Sequence, residues 1–234
     1  MTRPTLDIID LTHAISPAMP VFPGTEPPRL DDAYTIERNG FAEKMLHLVS
    51  HTGTHIDAPG HILPGAVRLD AMDADRFLGP GLVLDVSAVR GRQVEIGDLE
   101  THEALLRNVE FALLHTGWAK HWGEEEYFRP YPVLSPAAAQ WLAGLGLKGF
   151  GVDTISVDEI DSTALPVHRA LFAQNMVIIE NLADMKLLLG KEFTFSCLPL
   201  KIVDADGSPI RAVAIVTRDE EEGNSAYGSG RKVE

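Results

Sequence analysis

The sequence predicts an α/β domain built on a mixed sheet. Short β-branched and aliphatic runs recur eight times, helical patterns lie between only some of them, and the spacing is irregular. The strict strand–helix alternation of a doubly wound sheet or an eightfold barrel is therefore not the expectation.

In chain order, residues 7–11 read as the first strand. Residues 16–28 carry Pro17, Pro20, Pro23, Pro27 and Pro28, which favour an extended loop able to rim a site. Strands follow at 45–50 and 81–86, and Asp98 begins a helical segment through Leu106. After a strand at 111–115, Ser135-Pro136 opens the clearest helix. Ser is an N-cap type, Pro suits the first helical position, and Ala137 to Leu145 continue the pattern. Strands at 149–152 and 176–180 precede a third helix, 182–189, stopped by Gly190. Strands at 193–203 and 211–217 complete the set. Residues 219–234 are charged and glycine-rich and are expected to form a flexible tail, leaving 1–218 as a single domain without repeat or linker.

With 234 residues, 45% hydrophobic and 23% charged, the chain can bury one large core. Lys and Arg number 20 against 34 Asp and Glu, and the net charge of −14 repels phosphate backbones and anionic bilayers. Neither a nucleic-acid nor a membrane role is expected. Cys197, the single cysteine, lies in an apolar run and reads as a buried strand thiol, so neither a disulfide framework nor a thiolate metal cluster is expected. No apolar signal core or spanning segment stands out, and a cytoplasmic location is expected.

The pattern His51-x-x-x-His55-x-Asp57-x-x-x-His61 gathers three of the nine histidines and a carboxylate within eleven residues. Taken singly, each imidazole is more often structural. Together they are the nitrogen and oxygen donors that Zn²⁺ and Mn²⁺ accept. Gly53, Thr54, Pro59 and Gly60 oppose a helix, so the expectation is a strand ending near Ser50 and a compact loop that turns the ligands inward. Gly53 permits close backbone approach, and Asp57, with two oxygens, can bridge two ions. The motif is not His-Glu-x-x-His, so a zincin mechanism does not transfer.

The stretch His51-Thr-Gly-Thr-His-Ile-Asp-Ala-Pro-Gly-His61 resembles the signature of the metal-dependent cyclase-like hydrolases, which include bacterial kynurenine formamidases and isatin hydrolases. Further blocks are similar in the same order: Asp10–Thr12, Pro20–Gly24, Leu114–Trp118, Gly151–Asp158, His168–Phe172 and Ile179–Leu182. The resemblance implies a swivelling β/β/α-type fold and a homo-oligomer, a dimer or tetramer. It implies one ion, Zn²⁺ or Mn²⁺, on His51, His55 and Asp57, or a pair bridged by Asp57, with His168 and Glu180 holding the second. It assigns His61 to proton transfer.

Such a site acidifies water, polarises a carbonyl and suits hydrolysis of an amide C–N bond in a small aryl formamide or cyclic amide. Phe22 and Trp118 are candidate apolar walls for an aryl substrate. An isatin-hydrolase-like or lactone-opening activity is the nearest alternative. A non-catalytic metal-binding assembly protein is the alternative of another class, against which the retention of His61 speaks. Other signals carry less. Gly144-x-Gly146-x-x-Gly149 follows a helix and precedes a strand, the reverse of a dinucleotide fingerprint. There is no Gly-x-Ser-x-Gly elbow or phosphate-binding glycine loop. Asp153 and Asp158 are expected in turns, and 219–222 is a solvated acidic run.

Overall fold

The computed structural model describes residues 5–89 and 91–218, so the expected tail lies outside the described residues. Its strands are β1 (Thr5–Asp10), β2 (Arg29–Tyr34), β3 (Glu43–His47), β4 (His55–Asp57), β5 (Leu78–Asp85), β6 (Phe111–His115), β7 (Gly149–Val152), β8 (Val177–Glu180), β9 (Phe193–Ser196), β10 (Gly207–Pro209) and β11 (Val213–Arg218). The helices are short: α1 (Ile36–Asn39), α2 (Ile96–Leu99), α3 (Glu103–Leu106), α4 (Pro136–Ala143) and α5 (Pro166–Phe172).

Nine strands form one mixed sheet in the order β1-β11-β9-β5-β6-β7-β8-β4-β10. The four central strands β5 to β8 run parallel, and antiparallel strands extend both flanks. Alternation along the parallel strands separates two cores. Leu84, Ala112, Leu114, Phe150 and Ile178 meet the helical layer through Leu142, Leu171 and Phe172. Val83, Phe111, Leu113, Val177 and Ile179 share the other core with Ile56, Phe193, Phe195 and Ala214. Those partners belong to flanking strands of the same sheet, so the sheet curls over its own face. The curl is fastened where Leu11 donates to the Ala212 carbonyl and accepts from the Ala183 amide. This is the α/β mixed-sheet domain that the sequence predicts.

Local departures have local causes. The helix expected at 98–106 starts earlier, at the reciprocal Glu95–Asp98 capping box, and tightens into a 3₁₀ turn between α2 and α3. Ser135 caps α4 as expected, accepting from the Ala138 amide at 3.2 Å. The helix expected at 182–189 shrinks to a 3₁₀ turn, Met185–Leu188, because the amides of Leu182 and Ala183 are taken by carbonyls of Val152 and Leu11. The strand expected at 193–203 ends at Ser196, short of Pro199, which has no amide to donate. Cys197 is fully buried, as its apolar run implies. No helix among the described residues is long and apolar enough to cross a membrane.

Candidate metal centre

The centre lies where the parallel block meets its antiparallel flank. His55 and Asp57 stand two residues apart on β4, so their side chains share a face. The compact loop expected over the whole motif is thus corrected for these two: a buried three-residue strand, paired on both sides, holds them. On one side His55 faces Glu180 at the end of β8. On the other Asp57 faces Gly207 of β10, where a Cβ would come within 2.6 Å of the His51 ring. Only glycine leaves room for that imidazole. His168 arrives from the first turn of α5, whose amides at Val167 and His168 donate to the Asp158 carboxylate.

Each of the three imidazoles has one nitrogen engaged and the other turned toward Asp57. His51 Nε2 lies 3.1 Å from Asp206 Oδ2, His55 Nδ1 is 2.8 Å from the Gly53 carbonyl, and His168 Nδ1 is 2.7 Å from Asp158 Oδ2. Their remaining nitrogens stand 2.6 and 3.2 Å from Asp57 Oδ1 and 3.9 Å from Asp57 Oδ2. Even so, both Asp57 oxygens are buried without a hydrogen-bond partner. The distances are close, but none of these contacts meets hydrogen-bond geometry. A buried carboxylate left like this is costly unless a cation offsets its charge.

Two donor sets meet at Asp57: His51, His55 and Asp57, and Asp57, His168 and Glu180, with the ligand atoms of each set within 4.8 Å of one another. The five predicted ligands are therefore brought together, in the two groups that the resemblance implied. The outer acceptors Gly53, Asp158 and Asp206 fix the imidazole orientations, an arrangement typical of metal-ligating histidines. A harder set of nitrogen and carboxylate donors suits a divalent ion.

The charges agree with this picture. Burial disfavours the His51 imidazolium, but Asp57 and Asp206 outweigh it and raise its pKa to about 9. Against the same burial, Asp57 and Glu180 raise His55, and Asp158, Glu180 and Asp57 raise His168, while burial and the Asp57 charge push Glu180 up. Burial would raise Asp57 too, yet His51 and His55 hold it well below the usual carboxylate range.

His61 closes the 3₁₀ turn Pro59–His61, its ring centroid 4.0 Å from that of His51 and 6.2 Å from that of His168. Its Nδ1 lies 3.2 Å from Asp206 Oδ2, and burial lowers its pKa below the ordinary 6.5. Asp206 also accepts from Ser50 Oγ and, with His51 and His61, forms a third convergent set. Sequence reasoning missed it, since a single aspartate in a loop carries no spacing signal. Asp158 keeps the turn role expected of it and adds the orientation of His168. Asp153 is a turn residue, accepting from Thr116 and Gly117. Beneath the site Asn181 ties Gly53 down: its Nδ2 donates to that carbonyl at 2.9 Å and its Oδ1 accepts from Tyr127 at 2.7 Å.

The two candidate substrate walls are not brought to the cluster. Phe22 is exposed and in ring contact with none of the imidazoles. The Trp118 indole N–H donates to the Tyr127 carbonyl, and its ring lines a separate groove with Tyr131, Val133 and Ile160. Its aromatic neighbours hold it there.

Gly207 gives a direct test of this geometry. In Gly207→Ala the imidazole must give way, since the obstructing atoms belong to the His51 side chain rather than to backbone. The variant is expected to keep the parent's thermal midpoint within a few degrees and to lose roughly 10- to 100-fold in metal affinity, the scale of a disturbed ligand orientation. Titration with Zn²⁺ and Mn²⁺ reads this out, and parental affinity would contradict the placement of His51.

Comparison with known proteins accords with this geometry. A family model described as putative cyclase matches residues 9–159. Kynurenine formamidase from Bacillus cereus is 33% identical over 210 residues, 89% of this chain and 97% of the relative. Its counterpart from Salinibacter ruber is 34% identical over 212 residues, covering 88% and 96%. Among solved structures, an isatin hydrolase bound to the product analogue thioisatinate superposes with a TM-score of 0.81 at 24% identity, over 91% of this chain and 93% of that one. Isatin hydrolase A from Ralstonia solanacearum gives 0.78 at 26% identity, over 90% and 92%. The family match takes in the whole His51-to-His61 motif and the Asp158 support, and the formamidases align along nearly their full length: the chain belongs to the putative cyclase family.

Proposed function

We propose that the chain is a metal-dependent amidohydrolase that cleaves the C–N bond of a small aryl formamide or cyclic aryl amide. The observation that carries this reading is the pair of buried, unpartnered Asp57 oxygens at the convergence of His51, His55, His168 and Glu180. Those five residues are the proposed ligands, and sharing of Asp57 between two sets favours two ions over one. Bound there, Zn²⁺ or Mn²⁺ would polarise a substrate carbonyl and acidify water. His61, neutral at pH 7 and on the partly open side of the cluster, accepts a proton from the attacking water and returns one to the leaving nitrogen. Asp206 holds the His61 ring in place for both transfers.

The relatives named kynurenine formamidase point to N-formylkynurenine, and the isatin hydrolase of 26% identity points to ring opening of a cyclic aryl amide. Both substrates present an aryl amide carbonyl to the same site. The test is turnover of N-formylkynurenine and isatin by protein loaded separately with Zn²⁺ and Mn²⁺. Hydrolysis of at least one aryl amide, abolished by chelation, is expected. Metal binding with no turnover of any acyl substrate would favour the non-catalytic reading, and turnover of aliphatic lactones alone would sink the aryl-amide assignment.

A further inference from the structure

The groove that holds Trp118 has a volume of about 520 Å³, inside the roughly 300–1,000 Å³ of pockets that take small organic molecules. None of the five proposed ligands lines it, nor does His61. Its walls are apolar: Trp118 and Tyr131, their rings 6.2 Å apart and at 61°, with Val133 and Ile160. Its charge is acidic. Arg92 is the one cation among the lining residues, and its guanidinium is taken up by both Asp98 oxygens, each at 2.7 Å. Glu159 and Asp161 line the groove as well, and neither faces a cation among the described residues. Glu159 Oε1 accepts from the neutral Gln93 amide at 3.2 Å and keeps its charge. The groove also backs onto the candidate centre. Glu159, Ile160 and Asp161 line it, and the two residues before them support the second donor set. The Val157 amide donates to Glu180 Oε1 at 2.9 Å, and Asp158 Oδ2 lies 2.7 Å from His168 Nδ1. From the groove wall, the Tyr131 hydroxyl donates to the Asp158 carbonyl at 2.8 Å.

We infer that this groove is a peripheral binding site for a small aryl-alkyl ammonium, coupled to the second donor set through Tyr131 and Asp158. The walls suit a flat apolar body, which gains by burial and by edge or offset contact with Trp118 and Tyr131. Glu159 and Asp161 select the sign of the other end: an ammonium meets two carboxylates and the aromatic faces, whereas a carboxylate is repelled. A neutral molecule of the same shape gains the burial alone. The link to the centre is the Tyr131 hydroxyl. Burial first, then the Glu180 and Asp158 charges, push the phenol up, so it remains a donor to the Asp158 carbonyl. A ligand packed on the Tyr131 ring fixes that hydroxyl and, through it, the segment on which His168 and Glu180 lean. Coupling of this kind is reciprocal, so an ion on the second set tightens the ammonium by the factor by which the ammonium tightens the ion. The coupling rests on His168 and Glu180 being ligands; the groove does not.

The experiment is calorimetric titration of the full chain with phenethylammonium, first metal-free and then saturated with Zn²⁺; no turnover is measured, so the result is separate from the proposed hydrolysis. A dissociation constant of roughly 0.1–1 mM is expected without metal, tightening about threefold or more with both ions bound. Phenethyl alcohol and phenylacetate should each bind about tenfold more weakly or worse. The double substitution Glu159→Gln with Asp161→Asn, at exposed positions, is expected to weaken phenethylammonium about tenfold, since each exposed pair contributes only a few-fold. Tyr131→Phe keeps the ring and loses the hydroxyl. It should bind the metal-free probe within about twofold of the parent and lose the gain from Zn²⁺. No binding, equal binding of the alcohol or the acid, or an unchanged affinity in the double variant would overturn the site. Affinity indifferent to Zn²⁺ would overturn the coupling. Uptake of a single ion would do so through the ligand assignment, while the metal-free titration still decides the groove.

Discussion

His55→Ala is expected to lose more than about 100-fold in affinity for Zn²⁺ and Mn²⁺ and to show no measurable hydrolysis at metal concentrations that saturate the parent. His55 serves both halves of the centre: Nε2 stands 3.2 Å from Asp57 Oδ1 and 3.5 Å from Glu180 Oε2. Its removal opens the coordination sphere and leaves two buried carboxylates with less positive charge to face. Elemental analysis after dialysis, with circular dichroism to verify the fold, decides the matter. A folded variant as metal-loaded as the parent would remove His55 from the ligand set. His168→Ala makes a useful contrast, since its nitrogen belongs to the second set. Where two ions bind, that variant retains one.

The part of the centre readable in the sequence is the part that is contiguous. His51, His55, Asp57 and His61 announce themselves because a strand, a tight loop and a 3₁₀ turn fit four donors into eleven residues. His168 and Glu180 reach the cluster only because β8 pairs with β4 and α5 begins beside it. From spacing alone neither differs from a structural residue, and the family resemblance supplied both. Asp206 had neither spacing nor resemblance to mark it. The sheet was legible where strands are long and aliphatic, as in β5 and β6. It was illegible in β4 and β10, three residues each, which exist because neighbours pair with them and not because of propensity. Helix α5 was missed despite Pro166 at its start, because its seven residues are too few to show a period. Phe22 and Trp118 mark the other limit of local pattern: Phe22 is exposed, and the Trp118 indole donates to the Tyr127 carbonyl. An aromatic in a conspicuous motif suggests a pocket wall, but where its ring faces depends on packing that no local pattern encodes.

His61→Ala is expected to keep most of its bound metal and to lose roughly 10²- to 10⁴-fold in kcat, the usual contribution of a general acid–base group. The split between the two readouts is what gives this variant its value. His61 also belongs to a convergent set with His51 and Asp206, so a role as ligand is the specific rival. Its greater exposure and its distance from His168 argue for proton transfer, since the buried nitrogens around Asp57 already complete two sets. The pH profile separates the roles further. Burial lowers the His61 pKa, so its neutral form persists below the ordinary value of 6.5, and activity that needs a base should fall only as pH drops through that lowered pKa. The parent should therefore show an acid limb below pH 6.5. The residual activity of His61→Ala, measured with metal held saturating, should lack that limb. Metal content falling in proportion to activity, or an acid limb unchanged in the variant, would move His61 out of proton transfer and into the coordination sphere.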